Sequence, residues 1–154
     1  ANEEITRQMS KFLKELVMTM HEVVHERTPV WEGTAIANFQ WSQGVPFTGV
    51  IEAVESGPTG KTSGMPIGAE PRRPANKALS DASLSRIDFS RPFKPVFLSN
   101  NAPHYELLEA GGAPTPERSR VSSAIGIMRA AEAEALRRMA NRSSGFVRLI
   151  RTDY

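Results

Sequence analysis

Cysteine is absent from the 154 residues. That excludes disulfides, thiolate metal sites and cysteine nucleophiles, and it fits folding in a reducing cytoplasm. Long apolar runs are missing as well. Gly, Pro or polar residues interrupt every uncharged stretch, so neither a transmembrane span nor a membrane partner is expected. The stretch Ala1-Asn2-Glu3-Glu4 is too acidic for a signal peptide. A large excess of one charge is also lacking: 19 Lys and Arg against 17 Asp and Glu leave a net charge of +2, too little to argue for nucleic-acid binding. What remains is a soluble chain with the length of one domain, able to bury roughly 68–70% of the surface its unfolded form exposes.

Periodicity gives the elements. From Glu3 to about Arg27, Ile5, Met9, Phe12, Leu13, Leu16, Met20 and Val23 follow the spacing of a helix with one buried stripe. Thr28-Pro29 closes it, because the residue before a proline is pushed out of the α region. In Thr34 to Ser42, Ile36, Asn38, Gln40 and Ser42 alternate with Ala37, Phe39 and Trp41, the pattern of a half-buried strand. Phe47 to Val54 then reads as a second strand, making an antiparallel hairpin. Glu55 to Pro74 holds four glycines and four prolines without an apolar period, hence a long irregular loop. Ala75 to Arg86 suits a short helix, and Pro95 to Leu98 a third strand. His104 to Ala110 suits a helical piece stopped by Gly111-Gly112. A second long helix is expected from Val121 to about Asn141 with Ile125, Met128, Ala131, Ala135, Leu136 and Met139 inward. Phe146 to Ile150 looks like a terminal strand within an arm at about 145–154. The order predicts one α+β domain over 1–154: an antiparallel sheet of about 3–5 strands packed against two long helices.

Charge is distributed unevenly. Residues 1–33 hold six acids against four bases, whereas residues 117–154 hold eight arginines against four acids. Such polarity suits head-to-tail contact between copies, and solvated faces give the same counts.

Three patterns invite a chemical reading. His21-Glu22-Val23-Val24-His25 matches H-E-x-x-H, in which two histidines one turn apart bind zinc and the glutamate activates water. On a helical wheel, however, His21 lies about 120° and His25 about 160° from the centre of the apolar stripe. That puts both on the polar face with Arg7 and Lys14, and the only other histidine available as a third ligand is His104. Gly57-Pro58-Thr59-Gly60-Lys61-Thr62 has some phosphate-loop character, but Glu55 stands where the first glycine belongs and Ser63-Gly64-Met65-Pro66 replaces the following helix. No G-x-S-x-G elbow frames a hydrolytic triad. Arg72-Arg73 and Arg137, Arg138 and Arg142 lack the interleaved aromatics of a nucleic-acid groove. No catalytic residue, cofactor or metal is expected from these patterns.

Two stretches carry a family resemblance. Thr28-Pro29-Val30-Trp31-Glu32-Gly33-Thr34-Ala35-Ile36-Ala37-Asn38-Phe39 resembles the "T-P-V-D-T-G-x-A-R-A-N-W" segment of tailed-phage tail-completion and neck proteins, the lambda Z-like tail-component family. Asn100-Asn101-Ala102-Pro103-His104-Tyr105-Glu106-Leu107-Leu108-Glu109-Ala110-Gly111 is similar to its "N-N-x-P-Y-A-x-x-L-E-x-G". Trp31-Glu32 replace the usual Asp-Thr, and His104 the usual Tyr. The matching positions are Thr28, Pro29, Gly33, Asn38, Phe39, Asn100, Asn101, Pro103, Leu108, Glu109 and Gly111. Their residue types suit folding and docking: a helix stop, a tight turn at Gly33, left-handed turn geometry at Asn100-Asn101, a first helical turn at Pro103, and apolar anchors at Leu107 and Leu108.

The resemblance implies a non-enzymatic virion protein of a tailed bacteriophage, made in the host cytoplasm. It would form a homo-oligomeric ring of six or twelve copies at the head–tail interface. Its partners would be copies of itself and neighbouring neck, connector or tail-tube proteins, with non-specific contact to DNA in the lumen. The alternatives are a tail terminator or head-side connector and, from another class, a zinc peptidase using His21, Glu22 and His25.

Overall fold

The computed structural model describes residues 2–28, 34–54, 73–103, 105–109 and 126–142. In chain order these form α1 (Asn2–Arg27), α2 (Thr34–Ala37), β1 (Gln40–Gln43), α3 (Arg73–Leu84), β2 (Val96–Ser99), α4 (Tyr105–Glu109) and α5 (Met128–Arg142). The class is α+β with a long N-terminal helix, as the sequence implies. The sheet is smaller than expected: among the described residues β1 and β2 form one two-stranded antiparallel ladder, with Trp41 opposite Leu98 and Gln43 opposite Val96.

The expected hairpin is corrected twice. Thr34–Ala37 is helical, and the strand begins only at Gln40. Thr-Ala-Ile-Ala is a good helix former, and the Asn38 backbone N–H and side-chain amide both close the turn onto the Thr34 carbonyl, at 3.1 and 2.8 Å. Alternation misled because residues 35–41 are buried on every side, which leaves no solvent face to read. Phe47–Val54 forms no ladder strand; β1 pairs instead with β2 from much later in the chain. The segment is held by asparagine side chains described below, fastened along one edge without a neighbouring strand among the described residues.

The α1 stripe also needs correction. Ile5 is 54% and Met9 36% exposed, while Val17, Thr19, His21, Val23, Val24 and His25 are buried. The first half of α1 carries little packing, whereas α3, α5 and the β1 region surround the second half from several directions, so burial there does not follow one stripe. In α5 the expected inward residues Ala131, Ala135 and Met139 are buried, and Met128 and Leu136 are half-buried. The expected residues 121–125, the loop up to residue 72 and the strand at 146–150 lie outside the described residues; Arg73 and Pro74, assigned to that loop, open α3.

Two apolar clusters share Leu98. Val23, Val24, Ala35, Phe39, Ala102, Tyr105, Ile127 and Ala131 form the first, and Val17, Trp41, Leu84 and Ile87 the second. Phe39 is fully buried and meets the Tyr105 ring edge-on, centroids 5.5 Å apart.

The start of α5 is fastened by α4. Glu109 accepts from the amides of Ile127 and Met128 through one carboxylate oxygen, at 3.0 and 2.9 Å, and from Arg129 through the other at 3.1 Å. These are donors that a helix leaves unpaired at its N-terminus, where negative charge is also favoured. Burial opposes the Glu109 charge, but the Tyr105 hydroxyl and the three amides outweigh it and hold the carboxyl below its ordinary value. Gly126 makes this approach possible. It has φ +81°, and a Cβ there would strike the Glu109 carbonyl oxygen. Glu109→Ala and Gly126→Ala should therefore each destabilise the fold by about 1–3 kcal/mol. Urea unfolding of the two variants checks this, and wild-type stability in both would remove the clamp from the account.

Candidate functional site

The chemically richest cluster lies where α1, β1 and α3 meet. His21 and His25 project from the buried half of α1 with ring centroids 4.5 Å apart, 4% and 3% exposed. The wheel placed them on the polar face; the structure buries them, because α3 and β1 cover that side of the helix. α3 approaches through Asn76, Ser80, Ser83 and Leu84, a mostly small, polar row one or two turns apart. Such a row reads in sequence as a solvated face, so Ser80, Asp81 and Trp41 gave no signal as partners of the histidines.

Hydrogen-bond accounting fixes both rings. An indole N–H can only donate, and Trp41 Nε1 lies 3.0 Å from His21 Nδ1, so that nitrogen must be a bare acceptor. The proton of the neutral ring is therefore on Nε2, 2.6 Å from Asp81 Oδ1. Asp81 in turn accepts from Lys77 Nζ at 2.9 Å. For His25, Ser80 gives its single hydroxyl proton to the Phe39 carbonyl and so accepts from His25 Nε2–H at 2.9 Å. His25 Nδ1 is left buried without a partner. Ser83 completes the set, donating to the Ser80 carbonyl at 2.6 Å and accepting from the Trp41 backbone N–H at 2.9 Å.

Electrostatics agree with the neutral tautomers. Burial pulls His25 down to about 3, helped by His21 and Lys77. Burial also lowers His21, against the opposing pull of Asp81. For Asp81, burial raises the carboxyl, but His21 and Lys77 prevail and lower it.

His21, His25 and Asp81 could hold a metal ion by spacing alone, their ligand atoms lying within 4.8 Å of one another. The protonation pattern does not fit one. A metal on His21 Nε2 would need that nitrogen bare while Nδ1 still accepts from Trp41, leaving an imidazolate. Glu22, the water-activating residue of the zinc motif, is exposed while both histidines are buried. Ser80 is no activated nucleophile either, since the imidazole beside it donates to it and removes no proton.

Arg73, Arg137 and Arg138 are engaged elsewhere, and Arg72 lies outside the described residues. Arg73 reaches the carbonyls of His25 and Thr28, a cation on the C-terminal end of α1. Arg137 and Arg138 both bind Glu134, at 2.7 and 2.9 Å, and hold its carboxyl at about 2. The side chain of Arg142 lies outside the described residues.

The motif positions act on backbone. Thr28 is buried and its hydroxyl donates to the Val24 carbonyl. Asn38 brackets Ile51, donating to its carbonyl at 2.9 Å and accepting its N–H at 2.7 Å. Asn100 donates to the Ala35 carbonyl, and Asn101 to those of Phe47 and Gly49. Asn76, outside the motif, brackets Val54 as Asn38 does Ile51. Pro103 stands exposed in the turn before α4, which contains Leu108; Pro29, Gly33, Gly111 and the Leu108 side chain fall outside the described residues. Comparison with protein-family models, curated proteins and solved structures returned no match.

Two outcomes follow. The unfolded chain takes up histidine protons below 6.5 while folded His25 does not until about 3, so stability present above 6.5 is lost as pH falls through that window. Urea titrations should show up to about 2 kcal/mol less stability at pH 5 than at pH 7 from His25, and His25→Phe should flatten the profile. Zinc added to saturation should leave the melting temperature unchanged, as should Glu22→Gln. A resident site filled at a hundred times its Kd would instead add about 2.7 kcal/mol.

Proposed function

We propose that this chain is a structural, non-enzymatic component of a tailed-phage particle, assembling as a ring at the junction of head and tail. The observation that carries the reading is the use made of the motif residues. Thr28, Asn38, Asn100, Asn101 and Glu109 each spend their polar atoms on main-chain groups of other turns or segments, and Phe39 fills the core. The described residues that carry the resemblance thus shape a body and position a segment, with their polar atoms given to structure. The histidine cluster supports the same reading, since apart from the buried Nδ1 of His25 its acidic, basic and hydroxyl groups are engaged with one another or with backbone.

Ring assembly would use the opposed charge of the two chain ends, six acids against four bases in residues 1–33 and eight arginines against four acids in 117–154. Deleting the gene from the phage or prophage that encodes it should yield filled heads and free tails by electron microscopy, with the chain found in wild-type particles by mass spectrometry. Joined, infectious particles without the polypeptide would sink the proposal.

A further inference from the structure

The segment Phe47–Val54 is fastened along one edge only. Phe47 and Gly49 offer carbonyls to Asn101, and Ile51 exchanges N–H and C=O with Asn38. Alternate engagement is the habit of an extended chain, in which successive residues direct their backbone groups to opposite edges. The intervening residues Thr48, Val50 and Glu52 have no hydrogen-bond partner among the described residues, and all three are exposed. The run ends at Val54, which turns to Asn76. Large apolar side chains flank this open edge, with Val45 71%, Val50 57% and Val54 40% exposed. An unpaired edge with exposed valines is a template for one more strand.

We infer that the edge Thr48–Glu52 is a docking site for residues 146–150 of a second copy of this chain. Phe146-Val147-Arg148-Leu149-Ile150 is rich in strand-forming residues, and Arg148 and Arg151 oppose the acidic Glu52. Geometry selects a second copy over the same chain. Ile127 and Ala131 at the start of α5 share a core with Phe39, next to the Asn38 that holds Ile51. They meet Val23 and Val24, near the end of α1, and α5 packs along α1. The remainder of α5 must therefore run back toward the beginning of α1. Its 15 residues carry Arg142 about 20 Å from that core. Residues 143–145 can bridge at most about 14 Å to Phe146, too little to return. A strand given to the next copy, with its own edge filled by the previous one, is a head-to-tail contact that closes into a ring or propagates as a filament. The inference deepens the assembly reading above and rests on its premise that the chain works by self-association; the phage setting plays no part in it.

The test is the mass of the full-length chain in solution by sedimentation and native mass spectrometry. The wild type should form a closed or open multimer that an excess of synthetic peptide 143–154 dissolves. Val50→Pro, which removes one N–H of the open edge and spares the Asn38 and Asn101 bonds, should raise the concentration needed for assembly at least about tenfold. Glu52→Arg should weaken assembly too, and adding Arg148→Glu should restore it; this pair decides the matter if the proline variant fails to fold. A wild type that stays monomeric, a folded Val50→Pro chain that assembles normally, or a charge exchange without rescue would overturn the inference. Assembly by this edge in a chain absent from virions would instead overturn only the phage reading.

Discussion

Among the described residues, side-chain hydrogen bonds to distant main-chain groups take the place of a larger sheet. The ladder between Gln40–Gln43 and Val96–Ser99 is four residues long on each side, and an isolated pair of that size is not stable in water. What holds the surrounding segments is a set of amides and one carboxylate. Asn38 and Asn76 bracket Ile51 and Val54, Asn100 and Asn101 hold Ala35 and the Phe47–Gly49 stretch, and Glu109 gathers three amides at the start of α5. Each such bond contributes only about 1 kcal/mol net, but leaving a buried partner bare costs about 1–3 kcal/mol. The register of the irregular segments is thereby fixed.

The same economy governs the interior beside α1. A helix packed through Asn76, Ser80 and Ser83 gains less from apolar burial than one packed through leucines. It gains specificity in return, since Trp41, His21, Asp81, His25 and Ser80 satisfy one another in one protonation pattern. The unpartnered Nδ1 of His25 is the one member left over, a bare acceptor whose protonation burial suppresses.

An H-E-x-x-H signature on a helix, a Gly-rich stretch and clustered arginines each resemble functional motifs, and each depends on surroundings that local sequence does not encode. Trp41, twenty residues on, occupies His21 Nδ1, so a zinc ion on the other nitrogen of that ring would meet an imidazolate. Arg73 looks like a solvated cation until α1 ends beside it. By contrast the roles of Ala131, Ala135 and Met139 as an inward stripe were legible from spacing, because one face of α5 alone is covered.

Local pattern by itself determined the long first helix, its stop near Thr28, the strand at Val96, the inward face of α5 and the mixed class of the fold, since each rests on propensity or on one-sided burial. Tertiary structure alone decided that Thr34–Ala37 coils, that the histidines are interior, and that β1 pairs with β2 while Phe47–Val54 keeps an open edge. In those places burial comes from several directions, or the partner of a backbone group is a side chain far along the chain, and neither leaves a period in the sequence.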